Sequence, residues 1–278
     1  MSPRIMRILA APIGAACVIA AGAVLAGGPA ASAASATGLG GKWRTAMELP
    51  GVGSLNKGGN SDLLALSCGS PGNCAAGGYY QLSGGQRQAF VADERRGSWH
   101  SAVQLPGIGT LNKGGDARVL STSCASAGNC AAGGTYRDAS GRYQAFVATE
   151  KNGRWSKGIL APGSGTLNKG GDAAVQSVSC GRAGACAAVG YYRDGASHRQ
   201  VLLLNSLNGT WRSAKPVPGL ATLNLGNDAE LNSVSCTGAG GCSAGGFYVD
   251  NSAAFQGFVV TKRAGRGEAR ARCPARAP

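Results

Sequence analysis

Trp43, Trp99, Trp155 and Trp211 stand 56 residues apart, and nearly every other distinctive residue keeps that step. Cys68, Cys124, Cys180 and Cys236 follow it, as do Cys74, Cys130, Cys186 and Cys242. Tyr80, Tyr136, Tyr192 and Tyr248 form a third series, and Gln88, Gln144, Gln200 and Gln256 a fourth. Four copies of one unit with no insertion between them dictate a repeat architecture, in which each unit buries its apolar face on its neighbours. The same fact limits a functional reading, because a repeat specifies a scaffold more sharply than a ligand.

The second copy shows what one unit forms. Ala117 to Cys124 is short, partly alternating and rich in β-branched residues. Ser126 to Asn129 reads as a turn, and Cys130 to Tyr136 as a second strand of small residues. After a polar turn, Gln144 to Glu150 has strong β propensity, and Asn152-Gly153 is a tight hairpin signal before a fourth strand from Trp155 to Leu160. No window has an apolar helical period over ten or more positions. The expected fold class is all-β, with four short antiparallel strands per unit. Glycine inside a strand marks close backbone approach, so the small Ala-Ala-Gly-Gly stretches point to crowding between units. Radial packing of four such sheets gives a four-bladed β-propeller. The Trp43 strand would then close the ring by pairing with the last copy at Gln256 to Thr261. The alternative is an open stack of β units.

The flanks differ from the repeats. Residues 1–36 have Arg4 and Arg7, an apolar run and small residues around Ala31 to Ala36, which is the pattern of a secretory signal peptide. The β domain then spans 37–261, and 262–278 is a basic tail of disordered character containing the odd Cys273. The net charge is +14, of which the signal carries +2 and the tail +5, leaving +7 scattered over the repeats. That pattern lacks the stripe or patch that nucleic acid requires. With the signal removed, no membrane segment is expected. The eight repeat cysteines, in an exported chain, are expected to pair as disulfides across the first hairpin of each unit, and no recurring His accompanies them to suggest a metal site.

The loop Leu-Asn-Lys-Gly-Gly-Asp, followed by Ser-Val-Ser-Cys, Cys-Ala-Ala-Gly-Gly-Tyr-Tyr, Gln-Ala-Phe-Val and Asn-Gly-x-Trp, resembles the repeat of secreted actinobacterial proteins. The resemblance covers about residues 42–261. It implies secretion from a Gram-positive cell and a propeller-like β fold, and it implies no activity. The fourth copy departs from the pattern at Leu225, Asn227 and Ser243.

The loops supply the candidate site. Asn56, Asn112, Asn168 and Asn224, with Lys57, Lys113 and Lys169 and with Asn60, Asp116, Asp172 and Asp228, would line one rim of the repeats. Amide, ammonium and carboxylate groups on a rigid rim suit a polyhydroxylated ligand such as a glycan or cell-wall polymer, and repeated weak sites give avidity. The competing explanation is that Asn, Gly and Asp serve the turn itself; lysine is the residue a turn does not need. No cofactor motif occurs. Catalysis is set aside because a glycosidase needs two differently tuned carboxylates, whereas repeated acids would share one environment. The expected function is therefore a secreted, non-catalytic glycan-binding module, with a structural or protein-interaction module as the alternative. The sequence does not fix the oligomeric state.

Overall fold

A computed structural model describes residues 42–238 and 240–263. The signal segment 1–36 and Cys273 lie outside the described residues, as does the tail beyond Arg263. The chain divides into two units, 1–46 and 47–278. In the first, residues 42–46 carry no regular secondary structure, and Trp43 is fully exposed.

The second unit is all-β, in four antiparallel sheets, one per repeat. A single helical turn, α1 (Val52–Leu55), precedes the first sheet of β1 (Ser61–Ser70), β2 (Asn73–Gln81), β3 (Arg87–Arg95), β4 (Ser98–Trp99) and β5 (Val103–Gln104). The second repeat has α2 (Ile108–Leu111), β6 (Ala117–Ser126), β7 (Asn129–Arg137), β8 (Tyr143–Lys151), β9 (Arg154–Trp155) and β10 (Ile159–Leu160). The third has α3 (Ser164–Leu167), β11 (Ala173–Arg182), β12 (Ala185–Arg193), β13 (Arg199–Leu207) and β14 (Thr210–Trp211). The fourth has α4 (Leu220–Leu223), β15 (Ala229–Cys236), β16 (Cys242–Val249) and β17 (Phe255–Lys262).

Three long strands per repeat match the sequence reading. The expected fourth strand is broken in two in the second repeat: β9 pairs Trp155 with Glu150, and β10 pairs Ile159 and Leu160 with Val147 and Phe146. Asn152 and Gly153 both adopt positive φ, 50° and 75°, in the tight turn their sequence signals. The four-residue helical turns are too short to show any apolar period.

Each first strand carries a bulge at an equivalent place, at Leu64, Leu120, Gln176 and Asn232. A bulge bends its strand and sharpens the local twist. The second residue of Gly77-Gly78, Gly133-Gly134, Val189-Gly190 and Gly245-Gly246, a glycine in every copy, belongs to it. A Cβ on Gly78, Gly134, Gly190 or Gly246 would collide with the carbonyl of Asp62, Arg118, Ala174 or Glu230.

The core lies between consecutive sheets. Ala89 and Val91 of β3 pack on Ala117 and Val119 of β6. Val147 of β8 meets Val175 and Val178 of β11, and Val189 and Val201 meet Leu231 and Val234 of β15. The first glycine of the Gly-Gly pair makes room for this contact. A Cβ on Gly77 would come within 2.5 Å of Val119 Cγ1, and one on Gly133 would overlap Val175. Serine hydroxyls tie the sheets further. Ser67 Oγ accepts from Cys124 N–H at 3.0 Å, Ser123 Oγ from Cys180 N–H at 2.9 Å and Ser179 Oγ from Cys236 N–H at 2.9 Å. Trp155 Nε1 donates to Asp93 Oδ1 and Trp211 Nε1 to Thr149 Oγ1, both at 3.1 Å, so each Trp reaches back to the preceding sheet.

All four hairpins are closed by disulfides, Cys68–Cys74, Cys124–Cys130, Cys180–Cys186 and Cys236–Cys242. The paired cysteines face each other in the strand register. Each closes a short loop, worth about 2 kcal/mol in the chain-entropy account.

No sheet closes into a ring among the described residues. Residues 42–49 form no strand, and the fourth sheet ends with three. The first and fourth sheets share no packed face. Among the described residues β17 pairs with β16 alone.

Candidate functional site

Each Leu-Asn-x-Gly loop leads into the first strand of its sheet, beside the turn joining the second and third strands. Gly58 N–H donates to Gln81 O, Gly114 N–H to Arg137 O, Gly170 N–H to Arg193 O and Gly226 N–H to Val249 O, at 2.8–2.9 Å. This shared anchor puts all four loops on the same edge of their sheets. Gly59, Gly115 and Gly171 have φ of 77–79°, and Asn227 holds the same place at 59°. The loop requires a left-handed residue there, and Asn is the side chain that best tolerates it. The departure at Asn227 therefore keeps the turn.

The asparagines serve the fold. Asn112 is buried; its Nδ2 donates to Arg87 O at 2.8 Å and Gln88 Oε1 at 3.1 Å. Its Oδ1 accepts from Asp116 N–H and Arg137 N–H. Those four bonds exhaust the amide's capacity. Asn168 repeats the arrangement with Tyr143 O, Gln144 Oε1 and Asp172 N–H, and the buried Asn224 accepts from Asp228 N–H. Asn56 has no earlier sheet to clamp. It stays half-buried, donating to Ser61 Oγ and accepting from Gln81 N–H.

The sixth loop position is likewise engaged. Tyr79 OH donates to Asn60 Oδ1, Tyr143 OH to Asp116 Oδ2 at 2.9 Å and Tyr191 OH to Asp172 Oδ1 at 3.0 Å. Asp116 also takes two bonds from Arg118, at 3.0 and 2.8 Å. Burial works against its charge, but these donors outweigh it and hold its pKa below the ordinary carboxylate value. Asp228 lies 3.5 Å from Arg199 Nε. The tyrosines of the main series are packed, with Tyr80 and Tyr136 buried.

Lys57, Lys113 and Lys169 differ from all of these. They are exposed at equivalent points of three loops, and make no ion pair among the described residues. A cavity of about 290 Å³ opens between the third and fourth repeats, where Tyr192, Gln200, Lys215, Asn224 and Asn227 join apolar residues on its wall. Among the described residues, no three His, Cys, Asp or Glu side chains are placed to hold a metal ion. No helix there is long and apolar enough to cross a membrane.

Sequence reasoning missed the buried Glu150. Glu150 is buried, with Oε1 lacking a hydrogen-bond partner, and its pKa is raised to about 7. Burial is the main cause, reinforced by the nearby Asp93 charge and opposed by Arg95. The corresponding residues are the half-buried Glu94 and the neutral Ser206. Glu230 is also raised by burial, although Gln176 and Arg199 bond its carboxylate.

No protein-family model and no curated protein sequence matches the chain. Among solved structures, it is similar to a subtype N11 neuraminidase-like protein of A/flat-faced bat/Peru/033/2010, with 14% identity, 69% of this chain covered and a TM-score of 0.36. The match spans about half of that protein, 52% of its length. A structure titled "Glycoside hydrolase" is 9% identical over 73% of this chain and 69% of its own, with a TM-score of 0.36. The α-L-arabinofuranosidase PaAbf62A from Podospora anserina, in complex with cellotriose, is 13% identical over 69% of this chain and 70% of its own, with a TM-score of 0.32.

The expectation that the chain is not an enzyme is corrected. The structures it resembles include glycoside hydrolases. Its repeated acids also do not share one environment, since Glu150 is buried while its counterpart Glu94 is only half-buried. The symmetry argument against catalysis therefore fails. At such scores and identities, no activity passes from those proteins to this one.

Proposed function

We propose that this protein is an extracellular glycan-interacting repeat module that engages cell-envelope polymer along its loop edge. The observation that carries the reading is the series Lys57, Lys113 and Lys169: exposed, without ion-pair partners among the described residues, and set one repeat apart on loops anchored by their asparagines. A turn has no use for these ammonium groups. Their spacing suits a repeating anionic or polyhydroxylated polymer, where several weak contacts add through avidity. The cavity bearing Tyr192, Gln200 and Asn227 would take a sugar unit at the end of that series. Four disulfides fit an oxidising compartment. The signal-like leader and the likeness to secreted actinobacterial repeats point the same way.

The test is a glycan array containing peptidoglycan and teichoic-acid fragments, probed with the oxidised chain at about 0.15 M and about 1 M salt. Selective binding that survives salt, and that is lost when all three lysines become alanine, supports the reading. A blank array with the protein shown to be folded refutes it.

A further inference from the structure

We propose that the fourth sheet of one molecule receives the first sheet of a second copy, through the same joint that the chain already makes three times within itself. Every half of that joint is present and uncovered at the two ends of the series. On the fourth sheet, Ser233 and Ser235 are exposed where Ser177 and Ser179 accept backbone N–H groups of the next sheet. On the first sheet, Leu66 and Cys68 are exposed at the places whose N–H groups would donate to them, equivalent to Val234 and Cys236.

The apolar contacts correspond equally. Gly77 and Gly133 seat Val119 and Val175, but the equivalent Gly245 seats nothing from another sheet. The residue that would enter is Leu63, equivalent to Val119; it is 42% exposed, whereas Val119 and Val175 are 0%. Val259, in the place of the buried Val91 and Val147, is 79% exposed. Two polar keys also repeat. Thr261 stands where Thr149 accepts from Trp211, so it is the acceptor for Trp99 of the second copy. Gln256 stands where Gln88 and Gln144 accept from Asn112 and Asn168, so it is the acceptor for Asn56.

The contact joins unlike surfaces, tail to head. Such an interface yields a ring when its rotation closes and a chain of molecules when it does not. In either case each contact joins two different faces, and this gives a decisive experiment. Gly245→Asp puts a charge in the seat on the tail without internal strain, because a Cβ there meets only ordinary contacts at 3.6 and 3.8 Å, whereas the equivalent Val189 shows that an aliphatic side chain would be accepted against the next sheet. Leu66→Asp spoils the head. Both are made in the full chain, oxidised, and their folding is checked by near-ultraviolet circular dichroism. Sedimentation should show the wild-type chain as dimer or larger and each variant as monomer. An equimolar mixture of the two variants should form a one-to-one dimer and nothing bigger, since each retains the half the other lacks. A monomeric wild-type chain would overturn the proposal, and that is also the result if the chain closes on itself. So would variants that leave its mass unchanged, or a mixture that stays monomeric.

Discussion

Replacing Glu150 with glutamine removes a charge from one of the most enclosed positions in the second repeat. Glu150 is 3% exposed, lies opposite Trp155 in the strand register, and has a pKa of about 7 against an ordinary 4.5. The folded value lies above the unfolded one, so between them the native chain binds more protons than the unfolded chain. Stability therefore falls as pH rises from about 4.5 to about 7 and levels off above. The gap corresponds to about 3 kcal/mol, at 1.36 kcal/mol per unit. Urea unfolding of the oxidised chain, followed by tryptophan emission at pH 5 and pH 8, measures it. The wild type should lose up to about 3 kcal/mol more than Glu150→Gln on going from pH 5 to pH 8. The amide's own unpaired atom shifts the variant equally at both pH values and cancels, as do His100 and His198, common to both proteins. Parallel pH profiles for the two proteins would refute the reasoning, because Glu150 would then be solvated or paired in the folded chain.

Asn168→Ala strips partners from Tyr143 O, Gln144 and Asp172 N–H, and should cost about 3 kcal/mol in urea unfolding, whereas Lys169→Ala should change stability by less than about 0.5 kcal/mol. Gly133→Ala forces a methyl into Val175 and Val178 and should destabilise by about 1–3 kcal/mol, while Gly245→Ala should be close to neutral. Reduction of all four disulfides should lower stability by up to about 8 kcal/mol, read as a drop in the urea midpoint with and without reductant.

Strand positions, the Asn152-Gly153 turn and the cysteine pairing were legible because each rests on local chemistry that recurs at a fixed step. Closure was not, since it depends on the angle between successive sheets. Bulges at Leu64 and its counterparts and the depth of the glycine seats influence that angle, and no residue pattern encodes it additively. The loop residues were found, but their roles were divided only by burial. Asn112 and Lys113 are neighbours in sequence, yet one is saturated inside the protein and the other is free in solvent. Glu150 was missed because the charges that act on it, Asp93 and Arg95, come from the preceding repeat.

The glycine seats and serine acceptors make the middle of this chain heritable in whole units. Deleting the second repeat would bring Val175 onto Gly77, Cys180 N–H onto Ser67 and Trp211 onto Asp93, all matched partners of the kind already used. Unequal crossing-over between copies can therefore lengthen or shorten the gene by 56 codons without breaking a joint. The first and last copies have no such freedom, because their outer faces meet partners that the same gene must supply in another molecule.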